Sequence, residues 1–217
     1  HEDKLCFSAI FTLNENLEIL DEWFGRTVIH SDRRFAYEEA QEIIECGKGD
    51  YAEEILTLNR LAQGLRQNRF KQGAIAFERD EVRFKLDEKG RPIGVYTKVQ
   101  KEANQLIEEF MLLANRTVAE TIGKVPAKKA KVFPYRIHDI PDPEKLESLA
   151  RLALPFGHKV RTTGDKVDIA KSFNRLLADV KGKREQHLIE TVSLRAMQKA
   201  RYSTDNIGHY GLAFDYY

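Results

Sequence analysis

Apolar positions change period several times along this chain. Between Lys4 and Leu13 they alternate, with Leu5, Phe7, Ala9, Phe11 and Leu13 on one side, the period of a half-buried strand. Asn14-Glu15-Asn16 supplies turn chemistry, and Leu17–His30 returns as one long strand or two, an antiparallel meander. From Ser31 onward the period is helical over Tyr37–Glu45 and Glu53–Phe70, with Gly47-Lys48-Gly49-Asp50 breaking the run. In the second helix Ile55, Leu58, Leu61, Ala62 and Leu65 form the apolar stripe, and Arg60, Gln63, Arg66 and Gln67 take the opposite face. Asp50 is placed to cap it, with Glu53 three residues on completing a capping box. Gly73 ends it. Ala74–Phe77, Glu81–Leu86 and Ile93–Thr97 read as short strands, the last two joined at Asp87-Glu88-Lys89-Gly90.

The longest uninterrupted helical run is Lys101–Ile122. Ala103, Leu106, Ile107, Phe110, Ala114 and Val118 recur at three- and four-residue spacing, and Gly123 and Pro126 stop the run. At about 100° per residue, Asn104, Glu108, Met111 and Asn115 fall in one row bordering that stripe. The predicted solvent face carries Gln105, Glu109 and Arg116. A carboxylate and two amides beside a core face suit structural hydrogen bonding or contact with a polar ligand.

Val132–His138 reads as a strand with an edge or bulge at Pro134. The loop Asp139–Pro143 leads to a helix at Glu144–Leu154, closed by Phe156-Gly157. Helices follow at Asp168–Val180 and Glu185–Lys199, and Ala200–Ser203 and His209–Phe214 read as extended. Strands, then helices, then a hairpin, a long helix and a mixed remainder predict an α+β fold, with a mixed, mainly antiparallel sheet packed with several helices. There is no internal repeat and no clean boundary within residues 1–217; Gly123–Lys131 is the best linker candidate.

Composition narrows the class. With 42% hydrophobic and 32% charged residues in 217, the chain reads as a soluble globular domain. No apolar run approaches the roughly 20 residues of a membrane span, and no basic-plus-apolar leader is seen, which predicts a cytoplasmic setting. Both ends look cut: the chain opens His1-Glu2-Asp3 without Met and closes on Asp215-Tyr216-Tyr217, so a piece of a longer polypeptide is expected. Cys6 and Cys46 have no metal spacing and are expected to be buried, reduced and without a disulfide partner. The net charge of +1 conceals a gradient: −8 over residues 1–60, +2 over 61–120 and +7 over 121–217. Positive charge gathers at Lys124–Lys131, Lys181–Arg184 and Arg195–Arg201. Such a surface suits a polyanion, or simply solvated helix ends.

Catalytic motifs are scarce. There is no phosphate-cradling G-x-x-x-x-G-K loop and no G-x-S-x-G elbow. His138-Asp139 is a weak metal signal, and Asp139, Asp142 and Glu144 are better placed to fix a Pro-bent turn and cap the next helix. No aspartate run suggests a two-metal centre, so no metal site is expected in this chain.

Several stretches in order nonetheless resemble one family. DKLCFSAIF near the start, RTVIHSDRRFAYEEAQ (Arg26–Gln41), QGAIAFERDEVRF (Gln72–Phe84), ANQLIEEFMLLANRTVAE (Ala103–Glu120), YRIHDIPDPEKL (Tyr135–Leu146) and ARYSTDNIGHYGLAFDYY (Ala200–Tyr217) are similar to the RNB catalytic domain of RNase II and RNase R type exoribonucleases. The last stretch resembles the segment leading into the family's T-S-P-I-R-R-Y signature. GHYGLA and YRIHD look closer to RNase R.

The resemblance implies a processive hydrolytic 3′–5′ exoribonuclease that threads single-stranded RNA to a Mg²⁺ site of clustered aspartates and releases nucleoside 5′-monophosphates. In the family pattern those aspartates lie upstream of His1 and an assisting arginine downstream of Tyr217. The expectation is therefore the middle part of an RNB catalytic domain, truncated at both ends, that supplies scaffold and RNA channel, holds no Mg²⁺ and is inactive alone. Phe77 matches an aromatic that stacks on bases near the 3′ end; on residues alone it is a strand-core Phe. Glu108 matches a carboxylate touching the RNA end, where a ribose 2′-hydroxyl is its sensible partner; an ion pair with a basic neighbour is the alternative. Tyr202, His209 and Tyr210 are expected near the channel wall, and Arg195, Lys199 and Arg201 against phosphates. Two other functions stay open: a non-catalytic RNA-binding homologue, and a protein-interaction scaffold.

Overall fold

The computed structural model describes residues 2–76, 81–129 and 131–217. It divides into two compact units, His1–Arg66 with Glu78–Leu112, and Gln67–Phe77 with Leu113–Tyr217. The division passes through two helices and not at Gly123–Lys131.

The first unit opens with a hairpin, β1 (Lys4–Leu13) and β2 (Ile19–Ile29), paired antiparallel from Lys4↔Ile29 to Thr12↔Asp21. Asn14 makes the turn: its Oδ1 accepts the Glu18 N–H at 2.9 Å. The half-buried face is observed at Ala9, Phe11 and Leu13, but not at Leu5 and Phe7, which are 89% and 75% exposed. Two helices follow, α1 (Tyr37–Cys46) and α2 (Ala52–Lys71). Asp50 does not cap α2. The first helical bond runs from Ile55 N–H to the Tyr51 carbonyl at 3.0 Å, which makes Tyr51 the cap residue, and Asp50 sits 3.5 Å from Arg33 Nε. A second hairpin pairs β3 (Glu81–Leu86) with β4 (Pro92–Lys98). Asp87 shapes its turn by accepting the N–H groups of Lys89 and Arg91 at 2.9 and 2.8 Å.

The long helix is α3 (Glu102–Gly123), and its faces differ from the prediction. Ala103 and Leu106 are buried, but Ile107 and Met111 are half-exposed and Asn115 is exposed. The row with Asn104 and Glu108 therefore borders the open side. The face expected in solvent packs on α2 instead. Asn59 Nδ2 donates to Glu102 Oε2 at 2.9 Å, Gln63 Nε2 to Gln105 Oε1 at 3.2 Å, and Arg66 Nη1 to Glu109 Oε1 at 3.5 Å. Pairing satisfies these polar groups inside, so hydropathy alone assigns them to the wrong side.

In the second unit, Ala74–Phe77 is not a strand where it is described; Phe77 itself lies outside the described residues. Ala74–Ala76 is irregular and held by one side chain. Asn174 Nδ2 donates to the Ala74 carbonyl at 2.7 Å and its Oδ1 accepts the Ala76 N–H at 3.0 Å. The Ile75 N–H goes to the Gly211 carbonyl at 2.9 Å. These bonds replace a strand ladder. The strand expected over Val132–His138 shrinks to β5 (Tyr135–Ile137), after the N–H-less Pro134, and pairs with β6 (Arg201–Ser203).

Three helices surround the core of this unit: α4 (Pro143–Ala153), α5 (Lys166–Val180) and α6 (Gln186–Ala196). Asp142 caps α4 as expected, accepting the N–H groups of Glu144 and Lys145, and Pro143 occupies the first turn. Asp165 caps α5 through the Asp168 N–H at 2.7 Å. Leu146, Leu149, Phe173, Leu176, Val180 and Ile189 fill the core. A smaller cluster joins Ala119, Tyr135 and Ile137. There a Cβ on Gly123 would come within 2.6 Å of the Tyr135 hydroxyl and of the Tyr216 ring, so a larger residue would force these side chains to shift.

Cys6 is half-buried and Cys46 exposed, not buried as expected, and both are free. No helix among the described residues is long and apolar enough to cross a membrane.

Candidate nucleic-acid interface

In the second unit the chain closes around a groove of about 1270 Å³. Its walls come from β5 and the residue after it, from α4, from the exit of α6 and from the turn near the C-terminus. α6 stops at Ala196, and Met197 turns out of the helix with ψ 145°. Ala196 and Met197 are buried, which pins the exit. The Asp142 N–H donates to the Ala196 carbonyl at 3.1 Å and ties the same point to the start of α4. Arg195, Lys199 and Arg201, on either side of this anchor, are exposed and line the groove.

Arg136 and Lys145 line it as well, and among the described residues no carboxylate does. None of these five cations forms an ion pair among the described residues. A concave surface with one sign of charge raises the local concentration of the opposite sign.

Two histidines build the wall. His138 is buried. Its Nδ1 accepts the Gly211 N–H at 3.0 Å, so its proton sits on Nε2, which donates to the Gln198 carbonyl at 2.8 Å. Its backbone N–H donates to the Gly208 carbonyl at 3.0 Å, and its carbonyl accepts the Tyr210 N–H at 2.8 Å. One residue thus joins β5, the strap after α6 and the final turn. The His209 ring lies 4.9 Å away between centroids, and its Nδ1 accepts the Leu212 N–H at 3.2 Å. Burial lowers the pKa of His138. Burial first, and the neighbouring His138 second, push His209 down to about 4. Both rings are neutral at neutral pH, so the positive charge of the groove is that of its arginines and lysines. The two histidines also line a smaller cavity of about 180 Å³ with Asp139, Lys166 and Asp215.

The stretch His209–Phe214 is not one strand: His209 and Phe214 form an isolated bridge with each other. Tyr210–Leu212 is a 3-10 turn, closed by Ala213 at φ 56°. Tyr210 faces inward: it is buried as a member of the unit's main apolar cluster, and burial raises its hydroxyl to about 12. It lines the smaller cavity and not the groove.

The structure brings Arg195, Lys199, Arg201 and His209 together at the groove. Tyr202 is 70% exposed, with the Arg136 guanidinium 4.8 Å from its ring centroid. Glu108 is half-buried and belongs to the first unit. Asn104 and Asn115 brace: Asn104 Oδ1 accepts the Lys101 N–H at 3.2 Å, and Asn115 Nδ2 donates to the Tyr217 hydroxyl at 3.4 Å. Sequence reasoning missed Arg136, Lys145 and the joining role of His138. The signal for Arg136 was its alternation with Tyr135 and Ile137, both buried, which turns Arg136 to the other side.

Among the described residues no group of three or more His, Cys, Asp or Glu side chains could hold a metal ion. The described residues therefore do not fit the Mg²⁺ centre that the resemblance implies.

The RNB domain model matches residues 1–217. Ribonuclease R of Aquifex aeolicus is 33% identical over 227 residues, covering 100% of this chain and 31% of its own length. An inactive exonuclease, DIS3L2 of Arabidopsis thaliana, is 32% identical over 243 residues, covering 99% of the chain and 22% of its own length. In structure the chain is similar to Mycoplasma genitalium RNase R in complex with ribose-methylated single-stranded RNA, with a TM-score of 0.85, 21% identity, and coverage of 100% of this chain and 34% of that one. The chain thus spans about a third or less of the length of these proteins.

Proposed function

The chain belongs to the RNB family, and on that premise we propose that it forms the RNA-guiding part of a processive hydrolytic 3′–5′ exoribonuclease that releases nucleoside 5′-monophosphates from single-stranded RNA. One observation carries the assignment to this chain: five cations line one groove, and among the described residues none of them forms an ion pair and no carboxylate lines the groove. Phosphates of a single strand are the fitting occupant, since a fixed row of cations releases counterions when it binds one. Arg136, Lys145, Arg195, Lys199 and Arg201 contact phosphates, and neutral His209 lines their path. Phe77 stacks on a base, and Glu108 reads a ribose 2′-hydroxyl. The free thiols and the family's substrate suit a cytoplasmic protein. Mg²⁺ belongs to the whole enzyme, and no hydrolytic step is assigned to the described residues.

The test uses the full-length protein, Mg²⁺ and a 5′-labelled oligoriboadenylate. Progressive shortening from the 3′ end, slowed in Lys199→Gln, is expected. Internal cuts, or a Lys199→Gln protein with wild-type rate at subsaturating RNA, would contradict the reading. The similarity to an inactive exonuclease favours a second reading, RNA binding without cleavage; salt-sensitive binding of RNA that stays intact is its mark.

A further inference from the structure

Arg136 and Tyr202 are directly opposite each other across the antiparallel pair of β5 and β6. The guanidinium covers one side of the Tyr202 ring, 4.8 Å from its centroid. The ring remains 70% exposed and belongs to neither apolar cluster of the unit. Arg136 also lines the groove, as does Arg201, the residue before Tyr202. The aromatic surface therefore stands at the rim of the basic wall.

We propose that Tyr202, held in place by Arg136, is a base-stacking subsite for single-stranded nucleic acid at the rim of this groove. The proposal rests on the groove being the RNA site. Every base has a π face, so one aromatic platform accepts any nucleotide. The guanidinium on the covered side fixes the ring before binding, which reduces the ordering cost of the complex. A base in a duplex already has both faces stacked, so the subsite selects unpaired nucleotides. With a base on Tyr202, the backbone runs over Arg201 and the cations beyond it. A single side-chain pair thus joins a sequence-tolerant grip on the base to a charge-based grip on the strand.

The experiment measures equilibrium binding of a fluorescent oligoriboadenylate to the full-length protein in EDTA. A parallel series of oligonucleotides carries one abasic position, moved along the strand. Tyr202→Ala is expected to weaken binding at least about fivefold, while Tyr202→Phe retains wild-type affinity. One abasic position should weaken wild type and leave Tyr202→Ala unaffected. The salt dependence should be the same in wild type and Tyr202→Ala, because no phosphate contact is lost. Tyr202→Leu keeps volume without a π face and serves as the second variant where alanine loosens the strand pair; it should match Tyr202→Ala. Equal abasic sensitivity in wild type, Tyr202→Ala and Tyr202→Leu would overturn the subsite while leaving the groove reading intact. If Lys199→Gln and Arg195→Gln change neither affinity nor salt dependence, the groove reading falls and the subsite with it.

Discussion

His209 shows how a side chain usually read as a switch is held in one state. Its ring is largely enclosed, its Nδ1 is occupied by the Leu212 N–H, and its pKa lies near 4. In the unfolded chain a histidine titrates near 6.5. The folded pKa is the lower one, so below about pH 6.5 the unfolded state binds the proton first. The stability contributed by neutral His209 is full above that pH, declines as pH falls towards 4 and is flat below it. Urea midpoints at pH 7 and pH 4.5 should differ more in wild type than in His209→Asn, which keeps an acceptor but does not titrate. An equal difference in the two proteins would contradict this. At this scale the legible residues were those with local partners, such as Asp142 at the start of α4 and Asp87 in its turn. Arg66 and Glu109 were misread, since their partners lie about forty positions apart and their side chains are only 12% and 3% exposed. No local rule distinguishes a paired charge inside from a solvated one outside.

Among elements, the helices were legible to within about two residues at most ends because their period repeats over several turns. Of the short extended pieces, Glu81–Leu86, Ile93–Thr97 and Ala200–Ser203 were legible, and two others were not. Tyr210, Leu212 and Phe214 alternate as a strand would, but His138 draws the stretch into a turn through the Gly211 N–H and the Tyr210 N–H. Ala74–Ala76 read as a strand because of its apolar run, and its backbone is satisfied by Asn174 instead. Asn174→Leu keeps the volume and removes both bonds, leaving the Ala74 carbonyl and the Ala76 N–H unpaired. A loss of roughly 2–4 kcal/mol in urea unfolding is expected. A loss below about 0.5 kcal/mol would mean that the segment is held by packing alone.

On the scale of the molecule, the family was legible from several motifs in one order, and the groove's cations lie in the C-terminal part where the charge gradient is positive. The groove itself was not legible. Its cations come from β5, α4, the exit of α6 and β6, which only folding brings together, and Arg136 and Lys145 lay outside every charge run seen in the sequence. Glu108 and the groove fall in different units, so the two parts of the proposed RNA path are tested separately. The most direct measurement is the salt dependence of single-stranded RNA binding by the full-length protein in EDTA, wild type against Arg195→Gln/Lys199→Gln/Arg201→Gln. Each lost phosphate contact lowers the log–log slope by about 0.7, so the triple variant should lower it by about 2. An unchanged slope would show that the groove does not hold the RNA backbone.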